Sequence, residues 1–221
     1  MHFVGREKEI GQIRESLEGG KNVIVSGKYG MRRTSLIKHI ANAMKDQWRF
    51  PFVDFSETPR MVCRHLFAEL TGKQRFKDEY ESMKYKAIRF RIVNPALHGR
   101  RKQVLVLDNV AKLSFQKADL IRYLSGEGRF QFVAIVENFI SKDDFLRLRV
   151  RIYPADIITL GHLDKGSVCE FFRDLSEQHR FGWTNNEINN FAVATGGYPL
   201  RMKEVSMREL KAIGTTRASC R

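Results

Sequence analysis

The amino-acid sequence predicts an α/β protein: a five-stranded parallel sheet flanked by helices, followed by a small all-helical lid. Three observations predict it. Short apolar, β-branched runs alternate with segments of helical periodicity as far as Leu160. The first of those runs ends in a glycine-bearing turn that opens a helix. Beyond Asp164 the apolar spacing is helical throughout.

Taken in order, Ile10, Ile13 and Leu17 lie at helical spacing in the opening segment, and Gly19 and Gly20 stop that helix. Asn22 to Ser26 (NVIVS) forms the first strand, followed by the turn GKYGMRRTS and the helix SLIKHIANAM. Residues 51–56 (PFVDFS) supply the second strand, 61–70 and 76–93 two helices, 103–110 (QVLVLDNV) the third strand, and 130–137 and 156–160 the fourth and fifth. Such continuous apolar runs suit strands covered on both faces, in a sheet that receives ligands beyond the carboxyl ends of its strands. After Leu160 come SVCEFFRDLSEQH, then NNEINNFAVAT capped by Thr184, then PLRMKEVSMREL behind Gly196 and Gly197. The expected organisation is a core over 1–160, the lid over 161–212 and a polar, frayed tail over 213–221.

Composition narrows the function classes. A chain of 221 residues, 43% hydrophobic and 29% charged, has room for one such core with a small appendage and is neither fibrous nor wholly disordered. No window reaches the roughly 18 apolar residues of a membrane span. The opening MHFVGREKEI lacks the apolar run of a signal peptide, so the expected location is cytoplasmic, with no membrane partner. Cys63, Cys169 and Cys220 are far apart and outside any C-x-x-C spacing, which argues against a disulfide framework or structural zinc. No HExxH or G-x-S-x-G pattern is present. Thirty-nine Lys and Arg against 25 Asp and Glu leave +14, a charge that can attract phosphate backbones, anionic membranes or acidic protein surfaces. Basic clusters at His98 to Lys102, Lys84 to Arg91 and Arg147 to Arg151 either contact DNA or form solvated basic faces.

The most informative segment is the turn after the first strand. Gly27, Lys28, Tyr29, Gly30, Met31, Arg32, Arg33 and Thr34 fill the register of G-x-x-x-x-G-K-[ST], with Ser35 next. In that motif backbone N–H groups wrap phosphates, the lysine neutralises the terminal ones, and the hydroxyl binds magnesium at a helix N-terminus. Gly27 and Thr34 keep their parts. Arg32 places a Cβ where the second glycine lets backbone and phosphate approach, and Arg33 replaces a compact ammonium by a planar fork. The motif is therefore a degenerate Walker A loop. The third strand ends in Asp108, the carboxylate that would share the magnesium shell with Thr34. Asn109 follows, where many ATPases of this type place a glutamate that polarises the attacking water. An amide accepts no proton, so the expected enzyme is at most a slow ATPase.

With these motifs the sequence resembles the AAA+-related STAND class and the archaeal-type ATPases close to it. Phe3, Val4, Gly5, Arg6 and Glu7 match the hhGRE opening of that class; Gly197, Tyr198 and Pro199 match its GxP element, flanked by Thr195, Gly196 and Leu200. The resemblance runs from Phe3 to about Val205. It implies a P-loop NTPase fold, ATP or ADP as ligand, and Mg2+ as its companion. Val4 and Gly5 would lie against adenine, Gly27 to Ser35 on the phosphates, and Thr34 and Asp108 at the metal. Asp108 and Asn109, with Glu137 and Asn138 at the sensor position after the fourth strand, would form the catalytic end. Pro199 would contact nucleotide from the lid, and Arg201 would report nucleotide state. Arg147, Arg149 and Arg151 either present an arginine to a neighbour's nucleotide or form one solvated face.

Three functions stay open on the sequence. The first is a nucleotide-responsive switch with weak or absent hydrolysis that acts on a protein partner or by self-association. The second is a pseudo-ATPase scaffold for protein partners. The third is a DNA-binding accessory ATPase of transposition or replication-loading type.

Overall fold

The computed structural model of the chain describes residues 4–72, 83–94 and 101–218. Its elements run α1 (Glu7–Glu18), β1 (Asn22–Gly27), α2 (Arg33–Ala43), β2 (Trp48–Arg49), β3 (Phe52–Asp54), α3 (Pro59–Thr71) and α4 (Tyr85–Ile92). They continue with β4 (Lys102–Val110), α5 (Phe115–Gly126), β5 (Phe130–Val136), α6 (Lys142–Arg151) and β6 (Ala155–Leu160). Three helices close the chain: α7 (Lys165–His179), α8 (Asn185–Thr195) and α9 (Pro199–Ala218).

The strands lie in the order β2-β4-β5-β1-β6, with β3 also paired to β4. The β1–β5, β2–β4, β3–β4 and β4–β5 pairs are parallel. The strand expected over 51–56 is two pieces, β2 and β3, both on the same edge of β4. Pro51 separates them: it has no N–H for the ladder, and its carbonyl accepts from the Val106 N–H at 2.9 Å. Six strand segments thus fill the five expected positions.

By contact density the chain divides into two compact units. One comprises residues 10–27 and 33–159; the other comprises residues up to Glu9, Lys28–Arg32 and residues from Leu160. The core of the first packs the sheet residues Ile24, Leu105, Leu107 and Phe132 against Leu66 of α3, Ile88 of α4 and Leu120 of α5. Burying each such side chain contributes about 1.5–3 kcal/mol. The second unit is built on Val4, Val168, Phe172, Ile188 and Met202, with Trp183 and Phe191 edge-on and tilted against Phe172. Its helix α8 starts in the capping box that Thr184 and Glu187 predict.

Three expectations are corrected or bounded. The alternate arginines 147, 149 and 151 stand on a helix, so Arg149 is turned away from the other two and they do not form one face. The helix expected over 76–93 is described as α4, its part before residue 83 lying outside the described residues, as do His98 to Arg100. Helix α9 is described through Ala218, across the boundary at 213 expected for the tail.

Candidate functional site

In the sheet unit, the carboxyl ends of β1, β3, β4 and β5 bring together the groups that the sequence places far apart. β1 ends at Gly27, and α2 opens at Arg33. In its first turn the Thr34 hydroxyl donates to Asp108 Oδ1 at 3.0 Å, and the Asn109 N–H donates to the same oxygen at 3.0 Å. Register between β4 and β5 shifts between Leu107 and Val110, so Asp108 and Asn109 form a bulge. Asn109 has φ 57°, a left-handed conformation that asparagine adopts more readily than glutamate. Burial pushes the Asp108 carboxyl above its ordinary value, against the hydrogen bonds from Thr34 and Asn109.

The arginine in the lysine register is not a free cation. Arg33 is 8% exposed, and its guanidinium donates to the Val136 carbonyl and to Glu137 Oε2, the latter at 2.7 Å. Glu137 is itself only 15% exposed, and its N–H is held by the Val110 carbonyl at 3.0 Å. The fork of arginine makes this double attachment; a lysine ammonium has neither the planarity nor the second arm. Asn138 is exposed in the turn that follows, and Ser35 is half-buried in α2.

Two further residues of this edge carry no motif. Asp54 is the register partner of Asp108 across β3 and β4. Burial opposes ionisation of Asp54, but hydrogen bonds from Ser56 and Asn109, with the nearby Lys117 charge, outweigh it and hold the carboxyl below its ordinary value. Lys117 is buried, and its ammonium donates to the carbonyls of Phe55 (2.5 Å) and Ser56 (3.2 Å). Burial lowers its pKa, against the pull of Asp54. Asp54 was legible only as a second acidic strand end; Lys117 gives no signal in sequence.

The helical unit holds the remaining predicted residues. Val4 is buried in its core. Gly5 has φ 79°, and a Cβ there would lie 2.5 Å from Ser167 Cβ, so glycine alone fits. Arg6, also buried, donates to Glu9 Oε1 at 2.6 Å and to the Gly161 carbonyl, which makes it the anchor of the opening motif. Lys28 and Tyr29 are exposed and Met31 is buried. Arg32 has φ 60°, a left-handed conformation that glycine adopts without strain and arginine does not. Burial lowers the Arg32 pKa. Pro199 is buried at the start of α9, and Arg201 is exposed in its first turn.

Tyr198, at the variable position of the GxP element, holds the loop. Its hydroxyl donates to the Tyr29 carbonyl at 2.6 Å, and a Cβ on Gly30 would come within 2.7 Å of that oxygen. The other face of this element is braced by His162, whose ring stacks on Tyr198 at 5.5 Å between centroids and whose Nδ1 lies 2.8 Å from the Gly196 carbonyl.

The oxygen pair at Thr34 and Asp108 suits magnesium. An octahedral ion with metal–oxygen distances near 2.1 Å has adjacent ligands about 3.0 Å apart, close to the separation found here. Among the described residues no group of three or more His, Cys, Asp or Glu could hold a metal. One carboxylate and one hydroxyl would need a phosphate and waters to complete the shell.

No protein-family model matches the sequence, and no curated protein matches it. Solved structures do. The Aeropyrum pernix ORC1 protein, in complex with DNA, is similar with a TM-score of 0.70 at 15% identity, over 97% of this chain and 62% of that one. The Aeropyrum pernix ORC2 protein in its ADP form gives a TM-score of 0.69 at 14% identity, over 100% of this chain and 66% of that one. A STAND protein with a tetratricopeptide repeat sensor from Pyrococcus horikoshii gives 0.56 at 19% identity, over 90% of this chain and 29% of that one. The fold is that of an AAA+-related P-loop NTPase. This chain spans less than two thirds of the ORC1 protein and under a third of the STAND protein. Among the described residues no helix is long and apolar enough to cross a membrane.

Proposed function

We propose that this chain is an adenine-nucleotide-binding protein of AAA+ type whose bound state, rather than turnover, acts on a protein partner or a second copy. The pairing of Arg33 with Glu137 carries this reading. In a hydrolysing site the loop cation must meet the charge that develops on the terminal phosphate. Here that cation is committed to the protein's own carboxylate and to a strand-end carbonyl. Asn109 adds no base. On this reading the loop backbone from Gly27 would take the phosphates and the Thr34–Asp108 pair Mg2+, while the assignment of Val4 and Gly5 to adenine rests on the resemblance alone.

A calorimetric titration with ATP and ADP, with and without Mg2+, tests this beside a phosphate-release assay. Expected are magnesium-dependent binding and turnover no faster than about 10⁻³ per second, the range of GTPases working without an arginine finger. Failure of both nucleotides to bind sinks the proposal.

A second reading is favoured by the same ion pair, because it is complete without any anion: a scaffold that takes no nucleotide. Wild type would then bind neither ATP nor ADP, and the double variant Arg32→Gly with Arg33→Lys would gain binding. The DNA reading rests on α4, where Lys86, Phe90 and Arg91 are exposed, an aromatic ring among cations such as single strands stack on. Arg89 on the same helix is engaged by Asp119 at 2.8 Å and by the Tyr123 ring at 4.2 Å. DNA binding that is absent, or indifferent to salt, would dispose of this third reading.

A further inference from the structure

Building on the nucleotide-binding reading, we propose that Glu137 makes this site selective for a diphosphate, so that it takes ADP and rejects the terminal phosphate of ATP. The argument starts from what residue 33 reaches. In the loop motif the side chain at this register serves the β- and γ-phosphates, whereas backbone N–H groups cradle the α- and β-phosphates. The Arg33 guanidinium ends 2.7 Å from a Glu137 oxygen. A γ-phosphate brought to Arg33 therefore meets the Glu137 carboxylate.

Only two arrangements are open to such a ligand, and both are unfavourable. If the ion pair stays, the phosphate charge lies beside the Glu137 carboxylate, which is only 15% exposed, and the two like charges repel. If Arg33 turns to the phosphate, Glu137 is left as a nearly buried carboxylate without its partner, and the Val136 carbonyl loses its donor. The neighbouring groups do not relieve this. Asp108 and Asp54 add two carboxylates at the same strand ends, and the Lys117 ammonium is spent on the carbonyls of Phe55 and Ser56. A β-phosphate held by the loop backbone does not need Arg33, so a diphosphate escapes the penalty.

The test uses the full chain, Mg2+ and displacement of a fluorescent ADP derivative by ADP, ATP, pyrophosphate and tripolyphosphate. Wild type should prefer ADP over ATP, and pyrophosphate over tripolyphosphate, each by at least about tenfold, equivalent to about 1.4 kcal/mol. Glu137→Gln, which keeps the shape and an acceptor for Arg33 but removes the charge, should bring the ADP to ATP ratio close to one. Equal affinity of wild type for ADP and ATP would overturn the selectivity and leave nucleotide binding standing. A preference unchanged in Glu137→Gln would overturn the assignment to this residue. The polyphosphate comparison needs no variant, and equal displacement by the two overturns the proposal even if Glu137→Gln fails to fold. Should wild type take up no nucleotide at all, the underlying reading falls and this inference with it.

Discussion

Replacing Arg33 by methionine should destabilise the sheet unit more than almost any other single change at its strand ends. The substitution keeps much of the side-chain volume but leaves the Glu137 carboxylate, 15% exposed, without its cation. It also leaves the Val136 carbonyl without its donor. Removing one partner of a buried pair costs about 3–5 kcal/mol, and the residual access of Glu137 to water argues for the lower end, about 3 kcal/mol. In a chain of this size that corresponds to a Tm lower by roughly 6–12 °C. The pair itself is not what makes the fold stable: Glu137→Leu on top of Arg33→Met removes the orphaned charge and should recover stability to within about 1–2 kcal/mol of wild type, the remainder being the unsatisfied Val136 carbonyl. Denaturant melts of the four proteins of this cycle measure the coupling directly. A single variant that costs under about 1 kcal/mol, or a cycle without coupling, would refute the reasoning and return Arg33 to the pool of charges free to bind phosphate.

Arg32→Gly should leave stability unchanged or raise it by up to about 1 kcal/mol: φ 60° strains arginine, while glycine adopts it freely and gives back part of the gain as unfolded-state entropy. Loss of more than about 1 kcal/mol in the same melts would show that the half-buried side chain contributes more than its backbone strain removes. Gly197→Ala should cost about 3 kcal/mol or more, because its Cβ would meet the Leu163 carbonyl oxygen at 2.0 Å with φ at 71°, and the helical circular-dichroism signal should melt at lower temperature. For Asp108, burial raises the folded-state pKa above the ordinary 3.8, so the ionised form is penalised above the raised value and unpenalised below the ordinary one. Asp108→Asn keeps an acceptor for Thr34 and the Asn109 N–H, so Tm should rise at pH 7, with the gain disappearing as pH falls below about 4; a gain that persists in acid would point to packing instead.

The architecture was legible because it rests on local signals. Apolar runs such as NVIVS and QVLVLDNV, the Thr184 capping box and the glycine stops each act within a few residues, and the order of motifs along the chain then fixes the class of fold. The split of the second strand was half visible, since Pro51 stands in the sequence but its effect depends on which neighbour needs an N–H there. The partners of the site residues were not legible. Arg33 and Glu137 are 104 residues apart, and nothing in either segment says that β5 lies beside β1 in the sheet. Lys117 looks like any helix-surface lysine until α5 carries it under the Phe55 carbonyl. The left-handed geometry at Arg32 runs against residue preference, and local reasoning fails there because the strand-to-helix turn imposes the conformation; Asn109 tolerates its positive φ, but the bulge that uses it depends on the register with β5.

These failures share a cause that bears on function. Gly27, Gly30 and Arg32 all have positive φ, so an anion cradle of the proposed kind would rest on this backbone and not on the side chain at position 33. What differs is the side-chain wiring behind it. The charge at position 33 is not lost but matched by Glu137, and the position after Asp108 is turned into a bulge that presents an amide. A lysine placed at 33 would still face Glu137, and Asn109 would still accept no proton. On the proposed reading, binding would depend on main-chain geometry set by β1 and α2, and catalysis on Arg33, which is committed to the end of β5, and on Asn109 in the β4 bulge. On that reading, the chain would hold a nucleotide and turn it over slowly.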